Sequence, residues 1–306
     1  MFPMFHFQKE HVVALLLFMS SLNFTSGGKL LVVPMDGSHW LSMQSVLKQL
    51  KQNGHEAVVV APETNIHIKP SDDLYTMKTY PVPFTQEELE EKYRDGINGI
   101  FEEIPFLVRF VRTYNRVKTT TALLYSACTS LLYNQELMKY FEQSKFDALF
   151  TDPMMPCGQI VAEYLGIPSI FFLRGIPCGL DSEALQCPSP PSYVPRIFTT
   201  YTDHMTFAER VKNLLFRLSE SFLCGFLYSP YSNLAAEFLQ KDMTVTELLS
   251  HGSVWLMRAD FAFDYPKPLM PNMVSIGGIN CAGKKSLTQI LYARSHSNIC
   301  LLSPSR

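Results

Sequence analysis

One stretch narrows the fold more than any other. Between residues 29 and 61, a short apolar run, a sharp polar turn, a helical pattern and a second apolar run follow one another. Residues 29–33 (KLLVV) read as a strand buried on both faces, as in a central parallel sheet. Pro34 removes a backbone donor and ends that strand. Asp36, Gly37 and Ser38 supply turn chemistry, and Ser38 is placed to cap the helix that follows. Residues 40–53 carry Leu41, Val46, Leu47 and Leu50 at near-helical spacing, and Gly54 ends the pattern. Residues 56–61 (EAVVVA) are the second buried strand. This β-α-β unit puts His39 just past the carboxyl end of the first strand, the edge at which open α/β sheets bind ligands. A neutral imidazole there can take up a proton near pH 7, and the helix dipole disfavours its cationic form. The competing reading is a helix-start residue that hydrogen-bonds locally.

The pattern recurs. Residues 146–153 (FDALFTDP) form a strand and a polar turn, residues 157–165 a helix closed by Gly166, and residues 167–173 (IPSIFFL) a further strand. Asp152 therefore lands, like His39, just past a strand end. In a parallel sheet both face one crevice, where a carboxylate orients an imidazole and stabilises its cation. By itself, Asp152 reads better as an N-cap or turn residue before Pro153. Arg174 follows the last of these strands and either faces the crevice or lies on the surface. The fold class expected is α/β, a Rossmann-like parallel sheet flanked by helices.

The rest of the chain adds a strand at 74–82, a charged helix at 86–94, helices at 100–117 and 121–141, and a Pro- and Ser-rich connection at 187–195. Helices follow at 204–224 and 231–241, then strands at 254–257 and 273–277. No G-x-G-x-x-G follows either early strand, which argues against a nicotinamide enzyme. Residues 278–285 (GINCAGKK) nearly match a phosphate loop, but Lys285 stands where magnesium needs Ser or Thr, so the match is read as chance. A hydrolase built on His39 and Asp152 lacks the G-x-S-x-G elbow.

The net charge of −2 over 306 residues does not suggest a nucleic-acid partner. None of the seven cysteines forms a C-x-x-C pair, which disfavours zinc or thioredoxin-like chemistry; no metal site is expected. Cys178–Cys187 is one disulfide that the spacing allows, and buried free thiols are the expectation for most of the others. Residues 1–27 read as a secretory signal peptide, with Lys9 before the apolar run Val12–Phe18 and small residues Ser26 to Gly28 at the cleavage region. Later apolar stretches are interrupted by charge, as at Arg217 and Glu220, so at most peripheral membrane contact is expected.

Several segments together resemble the N-terminal half of the UDP-glucuronosyltransferases, specifically the family 1A, phenol-type branch. They are KLLVVPMDGSHWLSM (29–43), GHEAVVVAPE (54–63), YPVPFTQEEL (80–89), SKFDALFTDPMMPCG (144–158), FFLRGIPC (171–178), TDHMTF (202–207), SVWLMRADF (253–261) and YPKPLMPNMVSIGGINC (265–281). The resemblance implies the N-terminal domain of a two-domain GT-B glycosyltransferase. It makes His39 the general base and Asp152 the residue that orients and stabilises it. The implied reaction moves glucuronic acid, with inversion, from UDP-glucuronic acid as co-substrate to a hydroxyl of a small lipophilic acceptor; no bound cofactor is implied. An apolar acceptor pocket would draw on Ser38, Trp40, Phe84, Phe171, Phe172 and Arg174, although each aromatic ring reads equally as core.

On that reading, residues 28–272 are the acceptor-binding domain, 273–289 a remnant of an interdomain linker, and 290–306 a divergent, disordered tail. No donor-binding signature is recognisable in this sequence. Two functions follow as expectations. One is a glucuronosyltransferase that is inactive in this form alone. The other is a non-catalytic acceptor-binding or regulatory subunit that pairs with full-length family members as a homo- or hetero-oligomer. The implied location is the endoplasmic reticulum lumen.

Overall fold

The computed structural model describes residues 27–281, apart from 101–102, 197–198 and 261. The signal peptide expected at 1–27 and the tail at 290–306 lie outside these residues, except for Gly27. Seven strands form one wholly parallel sheet: β1 (Lys29–Val33), β2 (Glu56–Pro62), β3 (Thr76–Tyr80), β4 (Ala148–Thr151), β5 (Ser169–Leu173), β6 (Val254–Met257) and β7 (Met273–Ser275). Their spatial order is β3-β2-β1-β4-β5-β6-β7. The winding direction reverses between β1 and β4, and a crevice opens at such a switch point, outside the carboxyl ends of the strands.

The apolar runs are continuous because both faces of the sheet are covered. Leu31, Val33, Val58, Val60, Leu149, Phe171, Trp255 and Met257 belong to one core cluster, and Leu30, Val32, Val59, Ala61, Phe150 and Phe172 to the other. Odd and even positions of β1 thus serve opposite faces, the period of two of a strand. Helix α1 (Ser38–Gln52) covers the second face through Trp40, Met43 and Leu47.

The first face takes α3 (Phe106–Leu132), α4 (Gln135–Ser144), α5 (Cys157–Leu165), α7 (Phe207–Leu239) and α8 (Val245–Ser250). Helix α2 (Gln86–Ile100) and the short α6 (Leu180–Ala184) complete the set.

Several local expectations need correction. Ser38 does not cap α1: Gly37 holds the N-cap position at φ +84°, and Ser38 is already inside the helix. Its carbonyl accepts a hydrogen bond from the Ser42 hydroxyl at 3.0 Å. The break expected between residues 117 and 121 falls instead at Tyr133–Asn134, where Asn134 accepts the Leu137 N–H at 3.0 Å and starts α4.

The two helices expected at 204–224 and 231–241 are one 33-residue helix running through Pro230. It starts on a capping box of Thr206 and Glu209 and stays continuous where Tyr231, Leu234 and Ala235 bury against the core. Packing there outweighs the backbone hydrogen bond that proline removes.

The disulfide pattern also differs. Cys178 joins Cys224 of α7, and Cys128 of α3 joins Cys157 of α5. Cys187 stays a buried thiol, donating to the Pro268 carbonyl at 3.3 Å. Cys178 is nearer to Cys187 in sequence, but the chain turns Cys178 toward α7, and a disulfide follows the approach of Cβ atoms in space. Among the described residues no helix is long and apolar enough to cross a membrane.

Candidate active site at the carboxyl edge of the sheet

The site forms at the switch point. Val33 and Thr151, the last residues of β1 and β4, are paired in register. The buried Thr151 hydroxyl donates to the Val33 carbonyl at 2.6 Å and ties the two strand ends together. A Cβ on Gly158 would overlap the Thr151 side chain, so glycine is what lets α5 press onto the end of β4. The two turns that leave these strands therefore emerge from one braced point.

His39, in the first turn of α1, leaves one strand end, and Asp152 the other. His39 Nδ1 lies 2.5 Å from Asp152 Oδ2. The carboxylate side chain is 1% exposed and the imidazole 24%. Asp152 Oδ1 accepts the Met154 N–H at 3.0 Å. Asp152 is thus both the turn residue and the imidazole's partner, with one oxygen for each. A carboxylate accepts only, so the proton of a neutral His39 belongs on Nδ1 and the lone pair on Nε2. In this arrangement the imidazole can accept a proton while the buried carboxylate holds its orientation and offsets the charge that forms.

Groups from the end of β6 and from α7 act on Asp152. Leu173 of β5 and Met257 of β6 are also paired in register, and each is followed by an arginine. Arg258 donates its backbone N–H to the Leu173 carbonyl at 2.7 Å, and its guanidinium lies 5.7 Å from the Phe172 ring centroid. Burial lowers the Arg258 pKa; the Asp152 charge acts against that shift, and Arg174 adds to it. Tyr228, from α7, is pushed up by burial and further by Asp152, so its phenol stays protonated at neutral pH.

The other sequence candidates take different places. Ser38 and Arg174 are exposed. Phe84 is half-buried, and its carbonyl accepts the Thr64 hydroxyl at 3.2 Å. Trp40, Phe171 and Phe172 are all 0% exposed. Trp40 meets Tyr75 edge-on at 5.5 Å under α1, Phe171 meets Trp255 at 4.7 Å, and Phe172 meets Phe150 at 5.6 Å. These three rings fill the core between sheet and helices.

Sequence reasoning missed Arg258, Tyr228 and Thr151. Arg258 carried a legible signal, because it directly follows a strand just as Asp152 does. Tyr228 carried none, since only helix packing brings it near Asp152. Among the described residues no group of three or more His, Cys, Asp or Glu side chains is placed to hold a metal ion.

Residues 28–298 match the family described as UDP-glucoronosyl and UDP-glucosyl transferase. The chain belongs to this family. It is 56% identical over 262 residues to UDP-glucuronosyltransferase 1A1 of Rattus norvegicus, covering 86% of this chain and 49% of that protein. It is 50% identical over 278 residues to UDP-glucuronosyltransferase 1A1 of Homo sapiens, covering 91% of this chain and 52% of that protein. The chain spans about half the length of the curated relatives it matches. Among solved structures, the glycosyltransferase VinC in complex with DTDP overlaps 86% of this chain and 56% of its own at a TM-score of 0.45 and 15% identity. An overlap of that size carries no functional argument.

Proposed function

We propose that this chain is the acceptor-binding half of a UDP-glucuronosyltransferase and that His39 is its general base. The observation that carries the reading is the 2.5 Å pair of His39 Nδ1 and Asp152 Oδ2 at the switch point of a parallel sheet. Family membership supports it, as does the high identity to proteins named UDP-glucuronosyltransferase.

In this reading a lipophilic acceptor places its hydroxyl against His39 Nε2. The imidazole takes the hydroxyl proton as the acceptor oxygen attacks the anomeric carbon of UDP-glucuronic acid. The bond from that carbon to the UDP oxygen breaks, UDP departs with the bonding electrons, and the anomeric configuration inverts. Asp152 keeps the base in the Nδ1–H form and stabilises the imidazolium. Residues 28–272 serve as the acceptor domain and 273–289 lead toward the donor-binding domain of a GT-B enzyme. The leader-like start suits the endoplasmic reticulum lumen, and pairing with other family chains fits the same proposal. Trp40, Phe171 and Phe172, being fully buried, support the site from beneath and do not line the acceptor pocket.

The test is glucuronide formation from UDP-glucuronic acid and 1-naphthol, run beside His39→Ala. Product that falls by roughly 10²-fold or more in the variant supports the base assignment. Transfer at an unchanged rate in His39→Ala refutes it. No product from either protein, with 1-naphthol still bound, confines the chain to acceptor binding.

A further inference from the structure

We infer that Asp36 is a positioning residue that couples the turn carrying the base to the connection between β2 and β3, so that His39 and that connection move as one piece. The inference rests on the functional reading above.

Asp36 sits three residues before His39. Its Oδ1 accepts the Gly37 N–H at 2.6 Å and the His67 N–H at 3.0 Å, and its Oδ2 accepts the Ile66 N–H at 2.6 Å. The His67 imidazole is also close, with Nδ1 3.3 Å from Oδ1. One half-buried carboxylate thus gathers three backbone donors from two separate segments, and hydrogen bonds to an ionised acceptor are the strong ones.

The far segment is itself anchored. The buried Asn65 side chain donates to the Pro62 carbonyl at 3.0 Å, Ile68 lies in the core cluster of Trp40 and Tyr75, and His67 rests on Tyr93 at 5.8 Å. The near segment is held differently. Gly37 at φ +84° gives the turn a conformation only glycine adopts freely, and among the described residues α1 has no side-chain N-cap. Asp36 instead holds this turn from just before the helix, through the Gly37 N–H. Loss of that tie frees the turn two residues before the base, and small displacements at a reacting group cost rate steeply.

The experiment uses Asp36→Asn in this chain. The amide matches the carboxylate in shape but replaces one acceptor oxygen with a donor that faces N–H groups. The Ile66 and His67 amides should then exchange with solvent at least about tenfold faster, and the 1-naphthol dissociation constant should rise by about tenfold. The His39 Nδ1 proton, seen by NMR as a far-downfield resonance, should broaden or disappear. Asp36→Glu, which keeps both acceptor oxygens, should recover part of each effect and serves as the test protein should the first variant fail to fold.

Faster exchange at Ile66 and His67 with unchanged naphthol affinity and an unchanged His39 resonance overturns the inference, since Asp36 then only staples a loop. Unchanged exchange overturns it as well. Should the wild-type chain bind no 1-naphthol, the acceptor-domain proposal fails, while the His39 resonance still decides the role of Asp36.

Discussion

Replacing Asp152 by two different residues separates its chemical role from its structural one. Asp152→Asn preserves volume, and its carbonyl oxygen can keep the Met154 N–H that Oδ1 accepts at 3.0 Å. The amide nitrogen then faces His39 Nδ1, 2.5 Å away in the native pair. Two donors cannot share that contact, so the imidazole moves its proton to Nε2 and presents Nδ1 as the acceptor. One charge-assisted hydrogen bond gives way to a neutral one, and stability should fall by about 1 kcal/mol or less. On the proposed general-base role, transfer by a full-length family chain carrying this substitution should fall far more, by about 10²–10⁴-fold, because Nε2 no longer holds a lone pair for the acceptor proton.

Asp152→Ala is expected to reverse the balance. It strands the part-buried Met154 N–H and the His39 Nδ1–H, at about 1–3 kcal/mol for each group left unpartnered, or about 2–6 kcal/mol together. Urea unfolding reads the stability change. Nitrogen-15 NMR of the histidine rings reads the tautomer directly, and glucuronide formation reads the rate. A wild-type His39 protonated on Nε2, or an Asp152→Asn protein with unaltered His39 nitrogen shifts, would refute the reasoning. So would transfer within about threefold of wild type, because an inverted tautomer leaves no such residue of activity.

Three further outcomes test the scaffold. Replacing Cys128 and Cys157 together by Ala removes a cross-link of sequence separation 29 and should lower unfolding stability by about 3–4 kcal/mol, read from urea midpoints under oxidising conditions. Gly158→Ala drives a methyl group into Thr151, and repacking α5 on β4 should cost about 1–3 kcal/mol and weaken the His39 downfield proton signal; an unchanged melting temperature and signal would show that the close approach is dispensable. Burial raises the Asp181 carboxyl pKa, with the Lys267 charge working against it. A raised folded value contributes stability that is fully present below the ordinary carboxylate pKa and lost as pH rises through the raised folded value. Asp181→Asn should therefore be more stable than wild type at pH 7, and the gap should close on acidification; a gap that widens as pH falls would contradict the sign.

The legible parts of the molecule share one property: their signals are local. The 3.6-residue and two-residue apolar periods, Gly54 and Gly166 as helix stops, and Pro34 at a strand end depend on neighbours a few residues away, and they mark β1, α1, β2, β4, α5 and β5 to within a few residues. His39 and Asp152 could be singled out because both follow strands, and a parallel sheet places all such residues on one edge. Arg258 obeys the same rule and was within reach of it.

What could not be read depended on partners distant in sequence. Pro230 looks like a helix break until the burial of Tyr231, Leu234 and Ala235 is known. The aromatic pair Phe171–Phe172 could line a pocket or fill a core, because alternate residues of a strand point to opposite faces and the sequence does not say that both faces are covered. Cys178 looks paired with Cys187 when chain distance stands in for spatial distance.

By itself, then, the sequence determined a parallel α/β sheet, the order of most of its elements, and two strand ends bearing an imidazole and a carboxylate. Only the tertiary structure decided that these two strand ends are neighbours. His39 and Asp152, 113 positions apart in sequence, meet because β1 and β4 pair at Val33 and Thr151, a long-range register set by core packing and ladder hydrogen bonds. The same packing buries Asp152, turns Trp40, Phe171 and Phe172 inward, and lets Asp36 hold the Ile66 and His67 backbone. Each of these depends on which surfaces meet when the helices cover the sheet, and that is a property of the assembled core, not of any local stretch of chain.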